Sequence, residues 1–125
     1  MLLDTDIFIE ILRESPQALV WLANQANAPM LSGVAALETA FGVRSPAELR
    51  SVSRKRAEFT ILWPTVADVE HAVVKFAALR LSHGIGSLDA VTAALALRHN
   101  IPIATFNVKH FRSVPGLMVI VPYNL

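Results

Sequence analysis

The sequence predicts an α/β fold built on a parallel sheet. Five short runs rich in aliphatic, β-branched or aromatic residues are separated by longer segments in which apolar residues recur at helical spacing. This alternation favours parallel strands joined by right-handed helical crossovers. The chain has 125 residues, and neither a repeat nor a linker interrupts it. A single domain over residues 1–125 is therefore expected.

The first predicted strand lies at the N-terminus. Met1–Thr5 is expected to be this strand and to occupy the centre of the sheet, with Thr5 or Asp6 capping the helix that follows. Asp6 is expected to act structurally, as such a cap. Ser15 and Pro16 start a second helix, because serine is a good cap and proline suits the first helical position. The residues expected to be buried in these helices are Ile7, Phe8, Ile11, Leu12, Ala18, Leu19, Leu22 and Ala26.

Two further helices are predicted after a short second strand. The strand is Met30–Ser32, and Ser32 or Gly33 begins a helix that carries Glu38. Ser45-Pro46 repeats the earlier start signal and begins a fourth helix. The residues expected to face inward in these two helices are Val34, Leu37, Phe41, Leu49, Val52 and Ala57.

The second half of the chain contains the other three predicted strands. Phe59–Trp63 is rich in β-branched and aromatic residues, and Pro64 stops it. Thr65 and Asp68 match a variant of the capping box at the start of the next helix. The elements that follow are a helix end at Gly84 and Gly86, a helix capped by Ser87, a strand at Ile101–Thr105, a helical turn at Asn107–Phe111 and a strand at Met118–Val121.

Four polar residues stand where a predicted strand ends or a helix begins. They are Asp4, Glu38, Asp89 and Asn107, and three of them are acids in a chain with only 17% charged residues. Asp4 and Asn107 follow apolar runs, so both are expected at the carboxyl edge of neighbouring parallel strands. Carboxylates gathered there repel one another unless a cation neutralises them. The pattern therefore suggests a hard divalent metal and metal-assisted hydrolysis.

Each of these residues also has a structural explanation. Asp4 is able to cap the helix after its strand. Asp89 lies in a first helical turn, where a carboxylate stabilises the helix dipole by roughly 0.3–1 kcal/mol. Glu38 is expected either on an exposed helix edge or in a polar pocket. Asn107 suits a turn or a cap, and Thr105 suits an ordinary strand position.

The composition indicates the expected cellular compartment and the kinds of partner the protein is expected to bind. The chain has no cysteine, no apolar run near the roughly 18 residues of a membrane span and no basic leader, which together favour the cytoplasm. Its formal charge of +1 makes no general case for nucleic-acid binding. Hydrophobic residues make up 54% of the chain, which we interpret as a sheet buried on both faces plus an exposed patch for a partner.

Basic residues are clustered in the predicted fourth helix. This cluster is either a solvated helix face or a set of phosphate contacts beside the acidic site. Its members are Arg44, Arg50, Arg54, Lys55 and Arg56.

Several other site classes are not expected. The histidines at positions 71, 83, 99 and 110 lack the i, i+4 spacing of a zinc site, and the serine-nucleophile and phosphate-loop signatures do not occur. Asp4-Thr5-Asp6 resembles the nucleophile strand of haloacid-dehalogenase-like phosphatases, but Phe8 stands where that family has Thr or Val. A phosphoacceptor signalling domain needs an aspartate after its third strand, where Trp63-Pro64-Thr65 stands.

Four segments in order resemble the motifs of PIN-domain nucleases. Leu2–Ile9 is similar to the opening of these proteins, Leu37–Gly42 to their second motif and Leu88–Ala96 to their third. Ile103–Phe111, followed by Val114–Leu117, resembles the C-terminal segment of VapC-type toxins. Each motif is short, but together they keep the order of the family over nearly the whole chain.

This resemblance implies a three-layer α/β/α sandwich with a central parallel sheet. It also implies a metal-dependent endoribonuclease that serves as the toxin of a toxin–antitoxin pair, with Mg²⁺, or alternatively Mn²⁺, held by acids. By resemblance, Asp4, Glu38 and Asp89 are catalytic acids, and Asp4 and Asp89 bind the metal. Asn107, which stands where many relatives carry a fourth acid, completes the expected catalytic set, and Thr105 is a polar neighbour of the site.

The amide at position 107 changes what is expected of the metal site. Asn107 can hold a metal-bound water but brings no charge, so we expect one tightly held metal and a weaker or absent second one. His110 also replaces a residue that is often acidic in relatives, which makes the rim of the pocket less negative. Asn107 favours an alternative interpretation, a catalytically degenerate module that binds RNA or protein, whereas the three retained acids argue against it.

The resemblance also implies partners. A cognate antitoxin is expected to cover an apolar groove and block the acidic pocket, RNA is the expected substrate, and a homodimer is the expected assembly. The residues expected to contact RNA phosphates are Arg44, Arg50 and Arg54.

Overall fold

A five-stranded parallel sheet forms the centre of the protein. The computed structural model describes residues 1–125. The strands are β1 (Leu2–Leu3), β2 (Met30–Ser32), β3 (Ile61–Leu62), β4 (Ile103–Ala104) and β5 (Val119–Ile120). They lie in the order β3-β2-β1-β4-β5, and every pairing is parallel. The predicted parallel sheet and the central position of its first strand are confirmed.

Helices cover both faces of the sheet. They are α1 (Thr5–Leu12), α2 (Pro16–Ala23), α3 (Gly33–Phe41), α4 (Pro46–Arg56), α5 (Val66–His71), a π-helical segment (Ala72–Phe76), α6 (Ala77–His83), α7 (Ser87–Arg98) and α8 (Val108–Phe111). Leu3, Leu31 and Ala104 pack against buried residues of α1, α2 and α3. Leu2 and Ile103 pack on the opposite side against α7. The fold is therefore the expected three-layer α/β/α sandwich.

Small residues, more than large ones, face the sheet from α3. Ala35 and Ala36 are buried, whereas Leu37 and Phe41 are 49% and 84% exposed. The prediction that these two large residues face inward was wrong, because the alanines let the helix approach the sheet closely and turn the larger side chains outward. Other residues predicted as buried but found exposed are Leu19, Ala26, Leu49 and Ala57.

The predicted helix from Thr65 to Gly84 is present but irregular. The capping box of Thr65 and Asp68 is confirmed, with both reciprocal hydrogen bonds formed. A π-helical segment then separates α5 from α6, and the extra residue per turn keeps Ala72 and Phe76 in the core. The helix ends at Gly84, whose φ of 76° is left-handed, as expected for a glycine at a helix C-terminus.

An ion pair connects α5 and α7, two of the helices that follow β3. Arg98 at the end of α7 donates from Nε and Nη2 to the two carboxylate oxygens of Asp68, at 2.8 and 3.0 Å. Asp68 is 2% exposed, so its charge requires this partner. The sequence pattern indicated only the capping role of Asp68.

Close packing also accounts for the start of α3. A Cβ on Gly33 would lie 2.6 Å from Cε3 of Trp63 and 2.8 Å from Cδ of Pro64, so only glycine fits there without a shift. The strands are shorter than predicted, since only Ile61–Leu62 of Phe59–Trp63 is paired. The cap of α7 is Gly86, and Ser87 is the first helical residue.

None of the helices combines the length and the apolarity needed to cross a bilayer.

Candidate functional site

The candidate site lies at the carboxyl edge of the two central strands. The chain runs from β1 outward to β2 and β3, then returns to β4 on the other side of β1. The crevice where strand order reverses in this way is the usual ligand site of open parallel sheets. Asp4 follows β1 and Thr105 follows β4, and their backbones continue the ladder through Asp4 N–H to Ala104 O at 3.1 Å. Both side chains are buried.

Thr105 connects two carboxylates with one hydroxyl group. Its Oγ1 lies 2.8 Å from Oδ2 of Asp4 and 3.2 Å from Oδ2 of Asp6, and it accepts a hydrogen bond from the Asn107 N–H at 2.9 Å. The backbone N–H of Phe106 also donates to Asp6 Oδ2, at 2.9 Å. A hydroxyl has one proton, so the two acids share a single donor.

Asp89 joins this group through Asn107. The Asn107 Nδ2 donates to Asp89 Oδ2 at 3.2 Å and lies 3.0 Å from Nδ1 of His110. The same His110 nitrogen is 3.6 Å from Asp89 Oδ2. Asp89 reaches the site because it lies in the first turn of α7, which begins beside α8 and the end of β4.

Glu38 occupies the rim of the site. It is exposed on α3, and its Oε1 accepts a hydrogen bond of 2.7 Å from the hydroxyl of Thr5, the residue next to Asp4. Of the two positions expected for Glu38, the exposed helix edge is therefore the one observed. Hydrogen bonds connect Asp4, Asp89 and Asn107 in one network. Glu38 is outside this network and bonds to Thr5, the residue next to Asp4.

Burial is the largest influence on the pKa values of the three buried or half-buried carboxyls of the site, those of Asp4, Asp6 and Asp89. Burial, followed by repulsion from Asp6, raises the pKa of Asp4 to about 7, against opposing hydrogen bonds from Thr105 and the Thr5 backbone. Burial also raises the pKa of Asp6 and that of Asp89. For Asp89, hydrogen bonding and charge interaction with His110 act in the opposite direction. A cation placed among these carboxyls would lower all three pKa values.

The donor atoms fit a hard divalent cation, but they do not form a complete coordination shell. Carboxylate, hydroxyl and amide oxygens are what Mg²⁺ prefers, and Asp6 Oδ1 is buried without a hydrogen-bond partner. However, no three Asp, Glu, His or Cys side chains converge on one point. Asp89 turns toward Asn107, and Glu38 turns toward Thr5. Each of these contacts engages one of the two carboxylate oxygens.

The three arginines expected near RNA are all exposed but lie in different places. Arg44 precedes α4 and lines a cleft with Thr5 and Glu38. Arg54 lines an adjoining cleft, and Arg50 lines neither.

Two residues, Asp6 and His110, make contacts in the site that the sequence did not predict. Asp6 was expected to cap a helix, but its carboxylate accepts from Phe106 N–H at the end of β4. The structure therefore corrects that expectation, since Asp4 occupies the N-cap position without a side-chain cap bond. His110 was noted only as a change at the rim, yet it contacts Asn107. The signal for both was weak, because each contact depends on tertiary placement.

Comparisons with known proteins agree with this architecture. Residues 1–117 match the family model described as PIN domain. No match was found among curated proteins. A toxin–antitoxin complex from Klebsiella pneumoniae contains a chain that is 25% identical with a TM-score of 0.79, covering 99% of this chain and 98% of that one.

Two other similar structures have lower identity and show the fold. A DNA-bound VapBC from Salmonella typhimurium has a TM-score of 0.79 at 19% identity, covering 95% of this chain and 95% of that chain. VapBC-1 from nontypeable Haemophilus influenzae has a TM-score of 0.76 at 22% identity, covering 97% and 96%.

Proposed function

The chain belongs to the PIN domain family, and from that premise we propose that it is a metal-dependent endoribonuclease and the toxin of a toxin–antitoxin pair. The observation that carries this proposal is the network of Asp4, Asp6 and Asp89, joined through Thr105 and Asn107 at the carboxyl edge of the central strands. A similar solved structure, 25% identical, is described as a toxin–antitoxin complex, which supports the toxin role. The proposal assigns this function to residues 1–125 as one nuclease domain in the cytoplasm.

Asp4 and Asp89 are the residues that would hold the metal, with Glu38 and Asn107 acting partly through waters. Oxygen ligands of this kind suit Mg²⁺ and also Mn²⁺. When bound, such an ion lowers the pKa of a water and neutralises charge that develops on a transferring phosphate. Asn107 brings no charge, and one oxygen of Asp6 is already engaged by Thr105 and the Phe106 N–H, so one metal is proposed.

The residues of the chain have separate tasks in this reaction. Thr105 fixes the orientation of Asp4 by donating to its Oδ2 at 2.8 Å. Asn107 does the same for Asp89 from Nδ2 at 3.2 Å. A water attacks the scissile phosphorus while a neighbouring carboxylate accepts its proton, and the departing oxygen of the RNA chain gains a proton from solvent. The burial of Asp4 strengthens its electrostatic interactions by excluding water.

Two exposed apolar surfaces are proposed to bind protein partners. The antitoxin surface comprises Leu37, Phe41, Leu49 and Trp63, which are 42–84% exposed. Because Leu37 and Phe41 flank Glu38 on α3, a partner bound there would block the acidic site. The dimer surface, proposed to bind a second copy, comprises Val66, Val73, Val74 and Leu81, which are 67–92% exposed on α5, the π-helical segment and α6.

A degenerate binding module is the second candidate function. It is favoured by the absence of a converged set of three acidic or histidine ligands, together with the amide of Asn107. Under this alternative, the same surfaces bind RNA or protein without cleavage.

RNA cleavage by the purified, partner-free protein separates the two candidates. Reactions contain Mg²⁺, Mn²⁺ or EDTA, and Asp4→Ala is run in parallel with Glu70→Ala, an exposed acid on α5 outside the site. The nuclease predicts cleavage that requires a divalent metal and Asp4 but not Glu70. Metal-independent cleavage, or equal cleavage by Asp4→Ala, would contradict it. RNA binding without turnover would favour the degenerate module.

A further inference from the structure

We propose that a single RNA strand lies in a cleft between α1, α3 and α4, with Arg44 and Arg54 holding two of its phosphates. This inference rests on the proposed ribonuclease function and extends it. It gives the substrate a path away from the acidic site and names two positioning residues for it.

Two adjoining cavities form the cleft. The first, about 640 Å³, is lined by Thr5 and Glu38 at the rim of the acidic network and by Arg44. The second, about 360 Å³, is lined by Arg54 and Lys55. Leu12 of α1 and Ser51 of α4 line both cavities, so the two are neighbours along α4. A strand entering at the acidic site can therefore extend along α4.

The cations in this cleft differ in whether they are already paired. Arg13 is paired with Glu10 at 3.1 Å, and Lys55 with Glu58 at 3.0 Å.

Arg44 and Arg54 have no ion-pair partner. The carboxylate nearest to Arg44 in sequence, that of Glu48, is occupied by the Arg44 backbone N–H at 3.0 Å. One unpaired acid, Glu14, lines the far cavity. Two guanidinium groups are thus available to an anion beside the site that would cut it.

The spacing of the two arginines suits successive contacts along a strand. Between Pro46 and Arg54, α4 rises roughly 12 Å at 1.5 Å per residue. Arg44 precedes this helix, so the two arginines are far enough apart along the chain to contact different phosphates. Grooves that bind single strands distribute cations along the backbone in this manner.

A protein segment is the competing occupant of the cleft. The lining of the second cavity argues for the charged ligand, because Leu12 is the one hydrophobic residue among its six. Its charged residues are Glu14, Arg54, Lys55 and Glu58, and because Lys55 and Glu58 pair with each other, Arg54 is the cation left for a phosphate.

Arg50, which the sequence grouped with Arg44 and Arg54 but which the proposed path does not include, provides a control on the same helix. It is exposed like Arg54, lies one position before Ser51 and lines neither cavity. Removing its charge changes the net charge of the protein by the same amount without changing the cleft.

The test is cleavage of a short fluorescent single-stranded RNA across a series of salt concentrations, with RNA binding measured separately by anisotropy in EDTA. Arg44→Ala and Arg54→Ala are each expected to raise KM about tenfold and to leave kcat within about twofold. Each should reduce the slope of log affinity against log salt by about 0.7, the value for one lost contact to a single strand. Arg44→Lys should restore most of the affinity, and Arg50→Ala should match the unmodified protein.

The two assays separate failure of the path from failure of the nuclease. If Arg44→Ala and Arg54→Ala behave like Arg50→Ala in both assays, the path is overturned even though RNA is cut. If RNA binds but is not cut, the nuclease fails, while weaker binding by the two variants still supports the path. If both variants weaken antitoxin binding but leave RNA affinity unchanged, the cleft belongs to the protein partner and the inference is overturned. An unmodified protein that neither binds nor cuts RNA overturns both.

Discussion

At the scale of the residue, Thr105 determines how the acids of the site are held. Its hydroxyl contacts both Asp4 and Asp6, and it accepts a hydrogen bond from the backbone N–H of Asn107. One side chain therefore couples the ends of β1 and β4. Such outer contacts fix the orientation of ligands that bind metal directly.

Removal of this hydroxyl should impair the site more than the fold. Thr105→Val keeps the shape of the side chain but leaves Asp4 and Asn107 without their partner. We expect kcat to fall about 10–100-fold and the Mg²⁺ concentration for half-maximal rate to rise. Thr105→Ser, which keeps the hydroxyl, should stay near the unmodified protein in both quantities. Equal activity and equal Mg²⁺ dependence of the Val and Ser variants would show that Thr105 has no positioning role.

The charge of Asp4 should destabilise the metal-free protein. Its pKa is about 7 in the fold and about 3.9 in an unfolded chain, so stability is greatest below the lower value and is lost as pH rises through the upper one. In EDTA at pH 8, Asp4→Asn should therefore raise the free energy of unfolding by roughly 1–4 kcal/mol. The difference should shrink toward pH 4. Urea unfolding at both pH values measures it, and a less stable variant at pH 8 would contradict the account.

At the scale of the element, the Asp68–Arg98 pair holds α5 against α7. Burial raises the pKa of Asp68, but hydrogen bonds from Arg98 and Thr65 outweigh this and hold the pKa below its ordinary value. A carboxyl with a depressed pKa contributes stability above its unfolded pKa and loses it as pH falls through the folded value. The contribution of Asp68 to stability is thus complete at neutral pH and begins to be lost as pH falls below about 4.

Asp68→Asn should therefore destabilise the protein in a pH-dependent way. The expected loss at pH 7 is roughly 1–3 kcal/mol, because Arg98 keeps its charge without a partner. The loss should narrow as pH falls below about 4. Glu58→Gln, which breaks the exposed pair with Lys55, is the control and should cost less than about 1 kcal/mol. Equal losses for the two variants, or a loss at pH 7 that persists unchanged in acid, would contradict this role.

The sequence predicted the order and type of the elements better than the residues that each one buries. Hydrophobic spacing located the strands and most helices, and Thr65 with Asp68 correctly marked a helix start. The inward face of α3 was predicted wrongly because Leu37 and Phe41 have helical spacing but lie on the exposed side of the helix. Helical spacing shows that a helix has an apolar stripe, whereas tertiary contacts determine whether that stripe is buried or exposed.

The same limit applies to the site. The positions of Asp4 and Asn107 at strand ends followed from the parallel sheet, and β1 and β4 do pair. Contacts across the fold, such as Asp6 to Phe106 N–H and Asn107 to Asp89, depend on side-chain directions that no local pattern contains. The π-helical segment at Ala72–Phe76 was missed as well, since helical spacing alone does not distinguish it from an α-helix.

At the scale of the whole molecule, the two exposed apolar surfaces lie on separate helices. Large side chains exposed to this extent commonly mark binding surfaces. If the dimer surface on α5 to α6 joins two copies, Leu81→Asp should convert a dimer into a monomer. Phe41→Asp lies on the antitoxin surface and should leave the dimer intact. Light scattering at several protein concentrations measures the mass, and a dimer that persists in Leu81→Asp but is lost in Phe41→Asp would reverse the assignment.

The central claim is that the acids at the carboxyl edge of β1 and β4 form a divalent-metal site. The most direct measurement is the number of Mn²⁺ ions bound per chain, counted by electron paramagnetic resonance on the partner-free protein and on Asp4→Asn. We predict one tightly bound ion in the unmodified protein and none in a folded Asp4→Asn variant. No bound ion in the unmodified protein, or the same number in both proteins, would contradict the claim.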